Sequence, residues 1–355
     1  MKLFKNFFIT IKTKGFIATF IAVKSFFIIL LINVFSSSAF IKRKIFNYKM
    51  YLDPRDKGIS RTLILFGERE LDHKIILEKV LKKNMKIFDI GANIGYYVLM
   101  ESKLVGKKGK ILAIEPVQKN MRLLQKNLKL NNNKITETIH SAADSKKNVK
   151  ANKSISHFFT TTHSNIGRLT SQEIVNVKSL TKFSKKLENG RHFLTPTQHI
   201  EELIRRNFVP DFIRMDIEGS EADILNDLAS LKLKKKPIVC FETHSSQYKS
   251  YPKKKVSMKK SKKVGNVINV RKVETRNLST MEKALKKMFK IGYKVKFAST
   301  SYEKGSIQLK KLGYKSLHNN IKTDDVMREI YKDLKEKDAI DLICHTGGLR
   351  TILIA

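Results

Sequence analysis

The chain has 355 residues, 41% of them hydrophobic, which is enough for one large α/β domain with additions or for two modest domains. Lys and Arg total 71 against 32 Asp and Glu, which gives a net charge of +39. This charge favours anionic partners such as nucleic acid, anionic lipid or acidic polysaccharide. A general drift of composition toward Lys explains the charge equally well. The only two cysteines, Cys240 and Cys344, have a spacing that fits no metal or redox motif, which indicates a reducing compartment.

The amino-terminal segment, residues 1–47, differs from the rest of the chain. Phe16–Phe40 is largely apolar, and Lys42, Arg43 and Lys44 follow it. Lys24 lies inside this window, where it would be costly at the centre of a bilayer. We rank an amphipathic helix on a membrane surface first, a single span second and a cleaved leader third. The predicted location is cytoplasmic, with membrane association through this segment.

The remaining chain divides into a core at 48–246, a Lys-rich linker or insertion at 247–276, and a carboxyl-terminal part at 277–355 that completes the sheet. The apolar periodicity predicts strands at Tyr48–Leu52, Met85–Ile90, Lys110–Ile114, Ile135–Ala143, Phe212–Ile217, Ile238–Thr243, Lys294–Ala298 and Leu349–Ile354. It predicts helices at His73–Leu81, Tyr96–Leu104, Gln118–Leu130, His199–Asn207, Glu221–Leu231, Met281–Phe289 and around Asp324–Lys337. This alternation indicates an α/β fold, a Rossmann-like doubly wound and mostly parallel sheet with helices on both faces.

A glycine turn follows the strand that ends at Ile90. In the run from Asp89 to Gly95, Gly91 and Gly95 allow a tight turn and a close backbone approach to a ligand. The helix that follows begins with free N–H groups, which favour a polar or anionic ligand end. Asp89, the last acidic residue of the strand, can pair with an ammonium group.

An acidic residue ends the next strand. Glu115 stands where dinucleotide-binding units place the carboxylate that accepts the ribose hydroxyls, so it fits NAD and S-adenosylmethionine equally. The turn separates the two, because Asn93 occupies the position of the second glycine that a pyrophosphate requires. Asp89 would also repel a diphosphate, and the pattern therefore favours S-adenosylmethionine as the cofactor.

Two later strands end in polar residues that can carry chemistry. Asp216 and Glu218 lie at the end of one, and Glu242 and His244 share a face at the end of the other. Asp216 is the stronger site candidate, whereas Glu218 and Glu221 fit equally well as groups that cap the following helix. His244 has the natural pKa range of a general base, although Glu242 and His244 also fit a role in holding loops. No clear ligand spacing indicates a metal.

Taken in order, these motifs resemble the FkbM-type family of class I S-adenosylmethionine-dependent methyltransferases. The resemblance rests on Asp89–Gly95, Glu115-Pro116, Met215–Leu225 and Phe241–His244, with similar lead-in strands at Tyr48–Glu70. It implies that Asp89, Gly91, Asn93 and Gly95 line the methionine end of the cofactor, that Glu115 holds the ribose, and that Ser141, Ala142 and Ala143 border the adenine.

The resemblance implies O-methylation of a hydroxyl on a sugar, glycolipid or other small molecule. We expect His244 or Asp216 to act as the base and Glu242 to orient the base or the acceptor. Two other functions stay open: an RNA ribose methyltransferase, which the charge favours, and a non-catalytic protein on the same fold that binds a membrane surface. Discriminating observations are salt-dependent RNA binding for the first and vesicle binding without methyl transfer for the second.

Overall fold

A computed structural model describes residue 11 and residues 15–35, 39–146, 149, 155–160, 167–170, 191–217, 219–243, 278–324 and 326–355. The predicted Lys-rich linker, 247–276, lies outside these residues. Within the part that the structure describes, no helix is both long enough and apolar enough to cross a membrane.

The amino-terminal elements pack along one face of the molecule. They are helix α1 (Phe16–Phe35), the antiparallel strands β1 (Ile41–Ile45) and β2 (Tyr48–Leu52), and helices α2 (Ile59–Phe66) and α3 (Leu71–Val80). Helix α1 lies against α2. The strand predicted at Tyr48–Leu52 is confirmed at both ends, and the apolar stretch before residue 67 is a helix that Gly67 ends in a left-handed conformation.

The first βαβ units follow the predicted alternation. They comprise β3 (Lys86–Ile90), α4 (Tyr96–Val105), β4 (Lys110–Ile114), α5 (Gln118–Leu130) and β5 (Thr136–Ile139). The next elements are β6 (Ala142–Asp144), β7 (Ile155–Thr160), β8 (Gly167–Thr170), β9 (Arg191–His199), α6 (Ile200–Arg206), β10 (Phe212–Met215), α7 (Glu221–Ser230) and β11 (Ile238–Glu242).

The carboxyl-terminal part adds strands to the same sheet. Its elements are α8 (Leu278–Lys290), β12 (Val295–Thr300), α9 (Glu303–Lys311), β13 (His318–Thr323), β14 (Val326–Leu334), α10 (Glu336–Ile340), a π-helical turn (Asp341–His345) and β15 (Leu349–Ile354). Helix α8 and strands β12 and β15 confirm three predicted elements.

The main sheet has nine strands in the order β13-β14-β12-β15-β11-β10-β3-β4-β5. The five strands from β11 to β5 are parallel, and β15 runs antiparallel to both of its neighbours. The chain moves outward from β3 through β4 to β5 and then returns to place β10 on the other side of β3, so the topological switch point lies between β3 and β10. The predicted Rossmann-like α/β fold is confirmed, and such a sheet binds ligands at the carboxyl ends of its strands beside the switch point.

Buried side chains cover both faces of this sheet. Along β3, Phe88 and Ile90 belong to one hydrophobic core, while Ile87 belongs to the other. Asp89 lies between Phe88 and Ile90 in sequence and therefore shares the face of Ile87, because side chains alternate along a strand. A charged residue thus enters the core on the side that helices α3 and α4 cover.

The prediction of one strand over Ile135–Ala143 is wrong. The segment forms two short strands, of which β5 joins the main sheet and β6 pairs in parallel with β9 in a separate four-stranded sheet of order β6-β9-β7-β8. Residues 140 and 141 separate the two, and His140 Nε2 lies 2.9 Å from the carbonyl oxygen of Pro116. The sequence of residues 135–143 does not reveal that its two halves pair with different partners.

The prediction of a helix around Asp324–Lys337 is also wrong. Residues Val326–Leu334 form strand β14, which pairs antiparallel with β12 on one side and β13 on the other. Two sets of ladder hydrogen bonds outweigh the local spacing of apolar and charged residues, because strand preference depends on the neighbours that a segment meets in space.

Candidate active site

The glycine turn connects β3 to α4 and lies at the switch point of the sheet. Gly91, Asn93 and Gly95 have φ values of +85°, +50° and +89°, in the left-handed region that favours glycine and tolerates asparagine. A Cβ added at Gly91 would lie 2.1 Å from the carbonyl oxygen of Asp216, and one at Gly95 would lie 2.6 Å from Cδ1 of Leu124. The turn is therefore in direct backbone contact with the end of β10.

Glu115 connects this turn to the end of β4. Its carboxylate accepts hydrogen bonds from the backbone N–H groups of Asn93 (2.8 Å) and Val117 (2.9 Å) and from the side-chain amide of Asn120 (3.3 Å). Burial raises the pKa of Glu115 to about 7, and the negative charge of Asp89 contributes to the same rise. The two predicted carboxylates therefore lie in one electrostatic neighbourhood, as a single cofactor site requires.

Asp89 has a cationic partner within the protein. Nη1 of Arg214 lies 2.9 Å from Oδ1 of Asp89, and both side chains are buried. The second oxygen, Oδ2, has no hydrogen-bond partner among the described residues. Arg214 also lies over the ring of Tyr97, with its guanidinium carbon 3.8 Å from the ring centroid. The role of Asp89 at the ammonium of a cofactor stays a prediction, and in the structure Asp89 also anchors Arg214.

Asp216 and Glu242, two of the predicted catalytic residues, lie at the carboxyl ends of the neighbouring strands β10 and β11. Oδ2 of Asp216 is 3.4 Å from Nη2 of Arg214, and about a quarter of the Asp216 side chain is exposed. Glu242 is buried and forms an ion pair with Arg350 of β15. The structure thus brings these two carboxylates to the edge of the sheet where the glycine turn lies.

Arg350 and Glu70 were missed by the sequence analysis. Arg350 Nη2 contacts Glu242 and also lies 2.7 Å from Oε1 of Glu70. Burial alone would raise the pKa of Glu70, but the charges of Arg69 and Arg350 hold it well below its usual range. The carboxylates of Glu70 and Glu242 outweigh the effect of burial on Arg350 and raise its pKa. This ion-pair cluster joins the lead-in segment, β11 and the last strand.

Arg214 was also missed, although the sequence carries a signal for it. A charged side chain in the apolar run Phe212–Met215 has to be paired when the strand is buried. No local signal exists for Arg350, because its partner Glu70 lies 280 residues away along the chain.

The predicted adenine-border residues are buried beside β9. The hydroxyl oxygen of Ser141 lies 3.0 Å from the carbonyl oxygen of Pro196 and 3.0 Å from that of Ala142, so its single proton is shared between these two acceptors. Ala142 and Ala143 belong to β6 rather than to the main sheet. Their contact with an adenine stays a prediction.

Two acidic residues and one histidine after β10 and β11 were also candidates. Glu221, the first residue of α7, accepts hydrogen bonds from the backbone N–H groups of Ile217 (3.1 Å) and Gly219 (2.8 Å) in the preceding loop, and its effect on the helix dipole stays a prediction. Glu218 and the predicted base His244 lie outside the described residues. Within the described part of the chain, no group of three or more His, Cys, Asp or Glu side chains is placed to hold a metal ion.

The residues at the switch point fit the predicted cofactor. A nucleoside with a methionine tail needs a backbone that it can approach closely and a carboxylate for its ribose hydroxyls. Gly91 leaves no room for a side chain between the turn and Asp216, and Glu115 lies beside the turn at the end of the next strand. Asp89 Oδ2 is a buried acceptor without a partner among the residues that the structure describes.

The fold and this site are those expected of an S-adenosylmethionine-dependent methyltransferase. Residues 89–256 match the family described as the methyltransferase FkbM domain, so this segment belongs to that family and the resemblance seen in the sequence is confirmed. The matched segment includes the glycine turn, Glu115, Asp216 and Glu242. A search of curated proteins found no match.

Solved structures with similarity to the chain include three methyltransferases. The precorrin-6y C5,15-methyltransferase of Geobacter metallireducens GS-15 is 11% identical to this chain, with a TM-score of 0.34. The matched region covers 80% of this chain and 86% of that protein. Fibrillarin of Aeropyrum pernix, in complex with S-adenosyl-L-methionine, is 12% identical, with a TM-score of 0.33, and the matched region covers 74% of each of the two chains. The methyltransferase FkbM of Methylobacillus flagellatus KT is 17% identical, with a TM-score of 0.29, and the matched region covers 53% of this chain and 45% of that protein.

Proposed function

We propose that this methyltransferase methylates a hydroxyl group on a sugar, a glycolipid or another small molecule. The observation that carries the proposal is the pair of carboxylates, Asp216 and Glu242, on adjacent parallel strands next to the glycine turn. A hydroxyl acceptor has to lose a proton as it is methylated, and carboxylates within reach of the acceptor can take that proton.

When bound, S-adenosylmethionine supplies a methyl group on a sulfonium sulfur, so that the acceptor oxygen takes the methyl carbon, the sulfur keeps the electron pair of the broken bond, and a base takes the hydroxyl proton. The backbone of Gly91 and Asn93 would hold its methionine end, and Glu115 would accept the ribose hydroxyls. The remaining work of the protein is to position the acceptor and to exclude water.

The surroundings of the two carboxylates support different roles. Glu242 is buried in an ion pair with Arg350, which fixes the position of its carboxylate and suits it to orient a neighbouring group. Asp216 is more exposed, and its contact with Arg214 is longer, at 3.4 Å. We assign Asp216 as the base and Glu242 as the group that orients the acceptor; His244 is the alternative base.

The test compares Asp216→Asn with Asp211→Asn. Asp211 lies just before the amino end of the same strand, where its carboxylate is 2.6 Å from Nζ of Lys235. We expect Asp216→Asn to bind S-adenosylmethionine in calorimetry and to lose methyl transfer by about 100-fold or more, in line with loss of a general base. Asp211→Asn should retain both properties. Full transfer activity in Asp216→Asn would contradict the assignment.

The acceptor class needs a separate experiment. Purified protein and a methyl-labelled donor are incubated with glycan, lipid and RNA fractions, and the label is followed into each. Label in a glycan or glycolipid that resists mild base, as an ether does and an ester does not, would support O-methylation of a hydroxyl. Label only on nitrogen or carbon would overturn it.

RNA ribose methylation is the second candidate, and the net charge of +39 favours it. Methylation of a ring carbon through a cysteine is disfavoured, because Cys240 is fully buried and burial raises the pKa of its thiol. Label in ribose, together with a steep loss of RNA binding as salt increases, would replace the sugar or glycolipid acceptor with RNA.

A further inference from the structure

Helix α1 exposes an apolar face that no described element covers. Two thirds of the Phe20 side chain (66%) and more than half of the Phe27 side chain (58%) are accessible to solvent. The other exposed large side chains of the helix are Phe16, Ile21, Ile28, Leu30 and Leu31. Monomeric soluble proteins rarely expose a contiguous apolar patch of this kind, so the face indicates a binding surface.

The opposite side of α1 is already used for packing. Ala22 and Ile29 are buried, and the guanidinium of Arg61 on α2 lies 5.9 Å from the centroid of the Phe26 ring. Helix α1 is thus seated on the methyltransferase through one side and presents the other side outward. The exposed face is a property of the seated helix.

The charge of this amino-terminal part of the chain is of one sign. The first 52 residues contain nine Lys and Arg and no Asp or Glu. Lys24 is exposed on α1 itself, and Lys42 and Lys44 are exposed on β1. Exposed Phe and Leu side chains in a segment with exposed Lys side chains and no acidic residue are complementary to an anionic bilayer, which offers acyl chains below a layer of phosphate groups. An RNA partner would account for the Lys residues and leave the apolar side chains unexplained.

We propose that α1 docks this protein on the surface of an anionic membrane. The phenylalanine and leucine side chains enter the boundary between headgroups and acyl chains, and Lys24 extends its amino group toward the phosphates. The proposal does not depend on the identity of the methyl acceptor. It agrees with a lipid-linked acceptor, which a surface-bound enzyme would meet at high local concentration.

The absence of tryptophan from the chain gives a direct test. Phe27→Trp places a single indole on the proposed face, and Leu312→Trp places one just after α9, at a position 52% exposed. With vesicles that contain phosphatidylglycerol, the emission of Phe27→Trp should shift to shorter wavelength and become protected from an aqueous quencher. Leu312→Trp should respond to neither kind of vesicle, and vesicles of phosphatidylcholine alone should give a weaker response of Phe27→Trp.

A second measurement uses charge in place of fluorescence. Phe20→Glu/Phe27→Glu should cosediment with phosphatidylglycerol vesicles at least tenfold less than the unchanged chain, while Leu312→Glu should bind as the unchanged chain does. All these sites are exposed, and circular dichroism checks that each variant folds.

Several results would overturn the proposal. They are an unshifted Phe27→Trp emission, equal sedimentation of the double variant and the unchanged chain, and a lipid-free dimer that the double variant converts to a monomer. In the last case a second copy of the chain, rather than lipid, covers the face.

Discussion

Arg214 of β10 and Asp89 of β3 are direct neighbours in the parallel register, and their side chains form a buried ion pair of 2.9 Å across the topological switch point. Burial would lower the pKa of Arg214, but Asp89 and Asp216 outweigh it and raise that pKa well above its usual value. Beneath the pair lies Glu101 of α4, whose pKa is raised well above its usual range by burial and by the charge of Asp89. Arg214 is thus the cation that balances the acidic groups at the base of the site.

Loss of Arg214 should therefore destabilise the fold more than loss of the whole pair. Arg214→Met leaves Asp89 buried without its partner, which typically costs about 3–5 kcal/mol of unfolding free energy. Replacing both residues, in Asp89→Asn/Arg214→Met, should restore most of that loss, because no uncompensated charge then remains. Urea denaturation of the unchanged chain, both single variants and the double variant measures the coupling. Additive effects of the two substitutions would show that the pair contributes no interaction energy.

The close contact at Gly91 predicts a selective loss of cofactor binding. An alanine there has to adopt a φ of +85° and also meets the carbonyl oxygen of Asp216, so the turn has to move away from β10. Calorimetry should show at least a tenfold weaker affinity of Gly91→Ala for S-adenosylmethionine.

Gly106→Ala provides the matched control for this substitution. Gly106 has a similar φ of +74°, but its added Cβ meets only the flexible side chain of Lys83, at 3.4 Å. With a ψ of −175°, Gly106 lies in a region of φ and ψ that essentially only glycine adopts, so Gly106→Ala should lose about 1–3 kcal/mol of stability, with unchanged cofactor affinity. Equal affinity losses in the two variants would attribute the effect to backbone strain and not to the contact with Asp216.

Cofactor binding should depend on pH through Glu115. Its pKa of about 7 means that the carboxylate is ionised above that pH and protonated below it. If the ionised form accepts the ribose hydroxyls, affinity should fall as pH decreases below about 7, approaching tenfold per pH unit. The stability of the ligand-free protein should change in the opposite sense. Because burial raises the pKa of Glu115, the folded state loses stability as pH rises from the pKa of glutamate in the unfolded chain, about 4.3, to its pKa in the folded protein.

Glu115→Gln separates these effects, since glutamine has a similar shape and does not titrate. Its affinity should be lower at high pH and nearly constant over the range in which the unchanged chain loses affinity. The same slope in both proteins would mean that another group titrates.

The sequence predicted best where the structure depends on local signals. Lys110–Ile114 and Gln118–Leu130 have the predicted bounds at both ends, and the glycine turn that begins at Gly91 lies between a strand and a helix as predicted. Helical periodicity, turn residues and strand length are all visible within a short window of sequence.

Contacts between distant segments could not be read in the same way. Strand β14 was predicted as a helix, because nothing near it in sequence reveals that β12 and β13 flank it. Likewise, Glu242 was a candidate from its place at the end of a strand, but its partner Arg350 belongs to the last strand of the chain. The sequence therefore predicted the glycine turn and Glu242 as candidates, whereas the ion pair of Glu242 with Arg350 was not predicted.

Arg350 should control turnover through the position of Glu242. Its guanidinium joins Glu242 to Glu70, so Arg350→Met frees a carboxylate that we assign to orienting the acceptor. A displacement of about 1 Å in such a group can lower turnover by about 100-fold, and we expect kcat to fall by 10- to 100-fold with unchanged affinity for S-adenosylmethionine. Steady-state kinetics with the identified acceptor, and calorimetry with the methyl donor, measure the two quantities.

Arg328→Met separates this positioning role from stability. Arg328 is more buried than Arg350, with 4% against 26% of the side chain exposed, and it pairs with Asp72 at 2.9 Å, so its loss should destabilise the fold at least as much, by about 3–5 kcal/mol. Its ion pairs are with Asp72 and Asp324 rather than with Glu242, and at a temperature where both variants are folded its kcat should match that of the unchanged chain. Equal losses of kcat in the two variants would show that turnover follows the stability of this part of the sheet. A selective loss in Arg350→Met, which Arg350→Lys partly restores, would show that a cation at this position sets the geometry of Glu242.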